Sequence, residues 1–186
     1  MIKYVLEPAP IDQDSLTPTK MPSSSEPFID VEKIIPEGLT SAQNGIMPVE
    51  LLTKIHCGGS LYTDAARCWF AMVRAASLDG VFLNVNRPLN AYRSIVRQRA
   101  EFLDRFVEVD PQSAAPDGAV RVEFEGKTRQ LKPDKTNIAA PGQSLHGFGL
   151  AVLITNTNGI RVKNWLDDNA EQFGFVRGDQ LHGAVA

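Results

Sequence analysis

The sequence predicts an α+β domain, helices flanking a small and largely antiparallel sheet, preceded by an extended proline-rich arm. Three observations carry this. Apolar residues recur at helical spacing in three separate stretches, short alternating stretches lie between them, and prolines crowd the N-terminal end. The chain has 186 residues with 19 Lys and Arg against 22 Asp and Glu, a formal net charge of -3. That balance excludes a strongly electrostatic nucleic-acid or polyanion binder, because no excess of cations is present to neutralise phosphates. No apolar run approaches the roughly 20 residues of a membrane helix. The opening MIKYVLEPAP holds one Lys, a short apolar run and then Pro, which does not read as a secretory signal.

Residues 1–50 read as the arm. Pro8, Pro10, Pro18, Pro22, Pro27, Pro36 and Pro48 fall there, with Ser23-Ser24-Ser25 and only Tyr4 and Phe28 as aromatics. Proline fixes φ and removes a donor, so regular helix or sheet is not expected over this stretch. Apolar groups nevertheless recur between the prolines, at Tyr4-Val5-Leu6, Phe28-Ile29 and Ile34-Ile35. They read as anchors for a partner surface, either the body of the same chain or neighbouring subunits.

Residues 51–186 read as the body. Thr63 or Asp64 caps a helix to about Ser77, with Ala65, Trp69, Met72, Val73 and Ala76 on one face, and Asp79-Gly80 stops it. Val81, Leu83 and Val85 alternate as a short strand. A second helix runs from Ser94 to about Phe106. Residues 110–118 form a loop. Val120, Val122 and Phe124 alternate up to Glu125-Gly126, and the return from Thr128 to Leu131 completes a hairpin. The continuous apolar run from Gly149 to Ile154 suits a strand in the sheet interior. A third helix spans about Ile160 to Gln172 with Val162, Trp165, Leu166, Ala170 and Phe173 inward. Gly174 closes it, and Phe175-Val176 starts a last strand.

Cys57 and Cys68 are too few for a disulfide scaffold and lack CxxC spacing. Cys68 falls within a helical apolar pattern and reads as a buried thiol acting as a small hydrophobe. His56, beside Cys57 and two glycines, has no companions in sequence that would make a metal or nucleophile site. His146 sits among glycines just before the apolar strand, and His182 follows Asp179 by three residues. Each histidine taken alone is more often structural than catalytic.

In combination these segments resemble a known family. Ala91-Tyr92-Arg93-Ser94 with Gln98 is similar to its Tyr-Arg-Ser…Gln motif. Phe124 to Lys127, with Leu131-Lys132, is similar to the hairpin before its metal motif. Pro141-Gly-x-Ser144-x-His146-Gly-x-Gly149-Leu-Ala151 resembles its first metal motif, and Asn164 to Ala170 with Phe173 to Arg177 resembles the following helix and strand. The family is the LAS-type (hedgehog-type) zinc peptidases, in the D-Ala-D-Ala carboxypeptidase branch that trims peptidoglycan stem peptides. The likeness covers roughly residues 60–182 and is greatest to forms in minor tail proteins and lysins of actinobacterial phages.

The resemblance implies a zinc held by His, an Asp seven residues later and a distant His, with a catalytic Glu three residues before the last His. His146 takes the first place and His182 the last. The Asp place falls on Leu153 and the Glu place on Asp179. A catalytic zinc needs three protein donors plus an open position, and Leu153 has no lone pair to give. Asp179 is shorter than Glu and serves as base or ligand, not both. The matching Arg in the family steadies charge beside zinc; for Arg93 the simpler role is a buried ion pair or helix-start contact, with Asp179 as one partner. The expectation is a degenerate zinc metallopeptidase fold without a cofactor, in a phage virion structural protein of the tail or tail tip. The arm would bind other tail proteins and the body would face host peptidoglycan. The alternative is an active zinc D,D-carboxypeptidase or endolysin, with Asp179 and Arg93 catalytic and His146 and His182 on zinc.

Overall fold

The computed structural model describes residues 2–6, 29–30, 35–39, 43–56, 58–85, 87–178 and 181–182, the strands at 2–6, 29–30 and 181–182 as backbone. In chain order the elements are β1 (Ile2–Leu6), β2 (Ile29–Asp30), β3 (Leu52–Lys54), β4 (Ser60–Tyr62), α1 (Thr63–Leu78), α2 (Ile95–Arg105), β5 (Phe106–Glu108), β6 (Arg121–Phe124), β7 (Lys127–Leu131), β8 (Ala151–Ile154), α3 (Ile160–Asn169), β9 (Phe175–Arg177) and β10 (Leu181–His182).

The α+β class holds, but the sheet is divided. Strands pair as β8-β1-β9, β5-β7-β6, the hairpin β3-β4, and β10-β2, of which only the last is parallel. The N-terminal stretch departs from expectation. Ile2–Leu6 is a strand, and it fills the centre of its sheet, opposite Ile154 to Ala151 on one side and Arg177 to Phe175 on the other. The prolines begin only at Pro8, so Ile2–Leu6 keeps its amide donors for two ladders. In space, β1 thus lies with the body rather than apart from it.

That insertion changes the place of β8. The apolar run was expected in a sheet interior, and β8 is instead an edge of the described three-stranded sheet. Its burial comes from packing across the sheet, since Leu150, Ala151, Val152 and Ile154 are fully buried while Leu153 is half-buried. Continuous hydrophobicity reports burial on both faces, not the number of neighbouring strands.

α1 supplies most of the cover. Ala65, Trp69, Met72 and Ala76 recur at helical spacing and are buried, and the Trp69 ring meets Phe175 edge-on at 6.2 Å. Burying side chains the size of Trp69 and Met72 contributes about 1.5–3 kcal/mol each. Thr63 is not the N-cap: that position is Tyr62, and the Thr63 hydroxyl donates to the Leu51 carbonyl at 3.2 Å, tying the helix start to the residue before β3. Ser94 lies just outside α2 and caps it, accepting the Arg97 amide at 3.3 Å. Residues 81–85 form no ladder among the described residues. Asn84 is fixed by Asn156 and Thr155 instead, and Val81 and Val85 point into the core. The expected strand there fails because irregular bonds to the loop after β8 satisfy the backbone.

A second, smaller core lies under β5-β7-β6. Phe102 of α2 stacks on Phe106 at 4.3 Å and meets Phe124 at 4.9 Å. The β6–β7 turn places Glu125 at φ 53 and Gly126 at φ 70, the two left-handed residues of a tight hairpin. Among the described residues no helix is long and apolar enough to cross a membrane.

Candidate functional site

Residues 141–149 form a loop ending in a 3-10 turn, Leu145–Phe148, and four other segments hold it. Gly45 donates to the Gly147 carbonyl at 2.7 Å, Arg93 to the His146 carbonyl at 2.9 Å and Tyr62 to the Gly149 carbonyl at 3.0 Å. Gln98 Oε1 accepts the Gly142 amide at 3.0 Å, and Asn44 Nδ2 donates to the Ser144 carbonyl at 3.0 Å. Asn44 and Gln98 are both buried, so each bond replaces water that cannot reach them. The glycines have a steric reason. A Cβ at Gly147 would lie 1.7 Å from Asn44 Oδ1, and one at Gly149, which sits at φ 70, would lie 2.6 Å from the Tyr62 nitrogen.

This frame fixes His146, which is 3% exposed. Its Nδ1 lies 2.7 Å from the Ala91 carbonyl. A carbonyl only accepts, so Nδ1 carries a proton, and in the neutral ring the lone pair is then on Nε2. Metal-binding histidines are oriented in this way, by donating their second nitrogen to a carbonyl or carboxylate. This role of Ala91 left no signal in the sequence, because the contribution is its backbone carbonyl.

Arg93 lies beside the same loop through its backbone, but its side chain is engaged elsewhere. Nε donates to the Leu89 carbonyl at 2.7 Å and a terminal nitrogen to Glu101 at 3.2 Å. Both partners of the ion pair are largely covered, at 17% and 19% side-chain exposure. Burial lowers the guanidinium's pKa, and Glu101 opposes that shift. The partner found for Arg93 is therefore Glu101, which also takes Arg97 at 3.0 Å.

Leu153 stands half-buried on β8, opposite Lys3 of β1. The Asp179 and His182 side chains and Cys57 fall outside the described residues; the His182 backbone belongs to β10, paired with Asp30. His56 is exposed and meets Phe70 edge-on at 5.7 Å, bordering a pocket of about 140 Å³ with Trp69, Leu83 and Asn84. Cys68 is half-buried on α1, where burial and then Asp64 raise its thiol pKa.

The described residues do not complete a zinc site. His146 offers one suitable donor, Leu153 offers none, and among the described residues no group of three or more His, Cys, Asp or Glu is placed to hold a metal ion.

Comparison with known proteins agrees with the loop geometry. The VanY family of D-alanyl-D-alanine carboxypeptidases matches residues 59–180, which takes in α1, α2, the hairpin, the His146 loop and α3. A D-alanyl-D-alanine carboxypeptidase of Enterococcus faecalis (strain ATCC 700802 / V583) is 33% identical over 107 residues, 55% of this chain. The match spans 35% of that relative's length. No solved structure matches the chain. By the extent of the family match, the chain belongs to the D-alanyl-D-alanine carboxypeptidase family.

Proposed function

We propose that this chain is a non-hydrolytic member of its family, a structural component of a phage tail whose domain faces the host cell wall. The observation that carries the first part is Leu153, seven residues after His146, where the resemblance calls for a carboxylate. An aliphatic side chain supplies no electron pair, so a zinc there would hold at most His146, His182 and a displaced Asp179. Water on so loose a site is poorly oriented and weakly acidified. Arg93 supports the same reading, since Glu101 already neutralises its charge. The proline-rich stretch before the family domain is the support for a place in an assembly. With hydrolysis gone, the retained loop is suited to holding a stem peptide during adsorption.

The alternative is an active zinc D,D-carboxypeptidase using His146 and His182, with Asp179 and Arg93 catalytic. One observation favours it: the His146 ring is anchored as a metal ligand's would be. Metal analysis of protein purified without chelators, run beside an assay for D-Ala release from a stem pentapeptide, separates the two. The expected result is well under one zinc per chain and no release. One tightly held zinc per chain, with release that His146→Ala abolishes, would establish the alternative. Antibody against the domain should decorate tails in negative-stain images; decoration of the capsid alone would rule out the tail assignment.

A further inference from the structure

The two tryptophans are both buried, Trp69 at 3% and Trp165 at 8% exposure, and they differ at their polar end. The Trp165 N–H donates to Asp79 at 2.7 Å. Among the described residues the Trp69 N–H has no acceptor, and it is not one of the side-chain atoms sealed from solvent without a partner, so it meets open space. A buried indole usually finds a partner for its N–H. Trp69 lines the pocket of about 140 Å³ that His56 borders, and a further group with unused hydrogen-bonding capacity lines it too. Asn156 and Thr155 hold the Asn84 backbone, leaving the Asn84 carboxamide without a partner among the described residues. The described contact of the His56 ring is with Phe70, edge-on. Ile55, Val73 and Leu83 make apolar walls, and no Lys, Arg, Asp or Glu lines the pocket.

We propose that this pocket binds a small neutral amide, a planar carbonyl and N–H carrying a methyl group. The carbonyl accepts from the Trp69 N–H, the amide N–H donates to the Asn84 carboxamide oxygen or to an unprotonated nitrogen of His56, and the methyl lies against the aliphatic walls. Mostly apolar pockets with a few convergent polar groups are the usual form of a small-ligand site. Charged ligands are disfavoured, because no opposite charge lines the pocket to offset their loss of water. A cavity of about 150 Å³ holds a benzene, so an acetamido-sized group fits this one. None of the lining residues belongs to the His146 loop or to the groups that hold it, so binding does not depend on whether the domain carries zinc. Two parts of a cell wall offer this chemistry: the acetamido group of an amino sugar, and the alanyl unit of a stem peptide, whose methyl adjoins an amide. The choice of those two sources rests on the cell-wall reading; the amide site does not.

N-methylacetamide carries the shared chemistry in about five non-hydrogen atoms and should bind at on the order of tens of millimolar. Titrated into the isotope-labelled full-length chain, it should move the Trp69 indole N–H resonance to saturation. The Trp165 resonance, already bonded to Asp79, should stay in place. Trp69→Phe assigns the two signals. Asn84→Ala should weaken binding about fivefold, the loss of one hydrogen bond, while an unchanged Trp165 signal reports that the variant is folded. Equal movement of both indoles, a shift that never saturates, or acetate binding as tightly as the amide overturns the proposal. So does an Asn84→Ala/His56→Ala chain that binds as the natural one does. N-acetylglucosamine and N-acetyl-D-alanine methylamide then distinguish the sources. Whichever binds more tightly than N-methylacetamide identifies its source; if neither does, the amide site stands and the cell-wall source is overturned. Zinc content and D-Ala release are separate readouts, so failure here is distinct from failure of the non-hydrolytic reading.

Discussion

Asn44 and Gln98, 54 positions apart, meet in a buried side-chain hydrogen bond of 3.1 Å. Gln98 Nε2 also donates to the Arg93 carbonyl at 3.0 Å, so one amide joins the segment before β3, the start of α2 and the His146 loop. Gln98→Ala strands the Gly142 amide and the Asn44 oxygen. The expected loss is on the order of 2–3 kcal/mol, read by denaturant unfolding. A loss within a few tenths would mean that water replaces the amide and that the clamp is not structural.

Gly147 has no room for a methyl group. Gly147→Ala drives a Cβ into Asn44 and should cost about 1–3 kcal/mol, near the upper end because the obstacle is itself hydrogen-bonded. Combining it with Asn44→Ala should cost less than the two single losses added, since the smaller side chain clears the clash. Strict additivity in thermal unfolding would show that the strain is relieved elsewhere.

Leu153→Asp tests whether the fold retains the geometry of a metal site. The new carboxylate should raise zinc affinity at least tenfold by titration calorimetry. Zinc should then raise the variant's Tm while leaving the natural chain's unchanged, since a ligand that binds only the folded state stabilises it. No gain in affinity would mean that the loss extends beyond position 153.

Two exposed carboxylates give the acid limb of stability a definite shape. The Arg99 hydrogen bond, and then its charge, lowers Glu125 below the ordinary value of 4.5, and the Lys127 hydrogen bond does the same for Glu108. A depressed folded-state pKa contributes stability that is present above the unfolded value and lost as pH falls through the folded one. Stability should therefore decline below about pH 4.5. Glu125→Gln should flatten that decline, and the loss should shrink in high salt because the pair is exposed. A carboxyl titration of Glu125 by NMR with a midpoint at or above 4.5 would contradict the assignment.

Local patterns exposed much of the body to sequence reading. The 3.6-residue spacing of Ala65, Trp69, Met72 and Ala76, the alternation up to Phe124 and the Glu125-Gly126 turn each encode a short-range preference, and each formed as expected. The segment at 81–85 failed because alternation says which residues are buried and not what satisfies the backbone. The hairpin β3-β4 was missed because three-residue strands are too short to show a period.

The sequence by itself determined the family, the loop that carries His146 and the aliphatic residue at position 153, because these depend only on which residues stand at which spacing. The tertiary structure alone decided that Ile2–Leu6 fills the centre of a sheet, that Asn44 braces Gln98, that Ala91 orients His146 and that Glu101 takes Arg93. Each of these joins residues distant along the chain or acts through the backbone. Backbone amides and carbonyls are the same in every residue but proline, so their partners are chosen by where the fold brings them and leave no mark in the order of side chains.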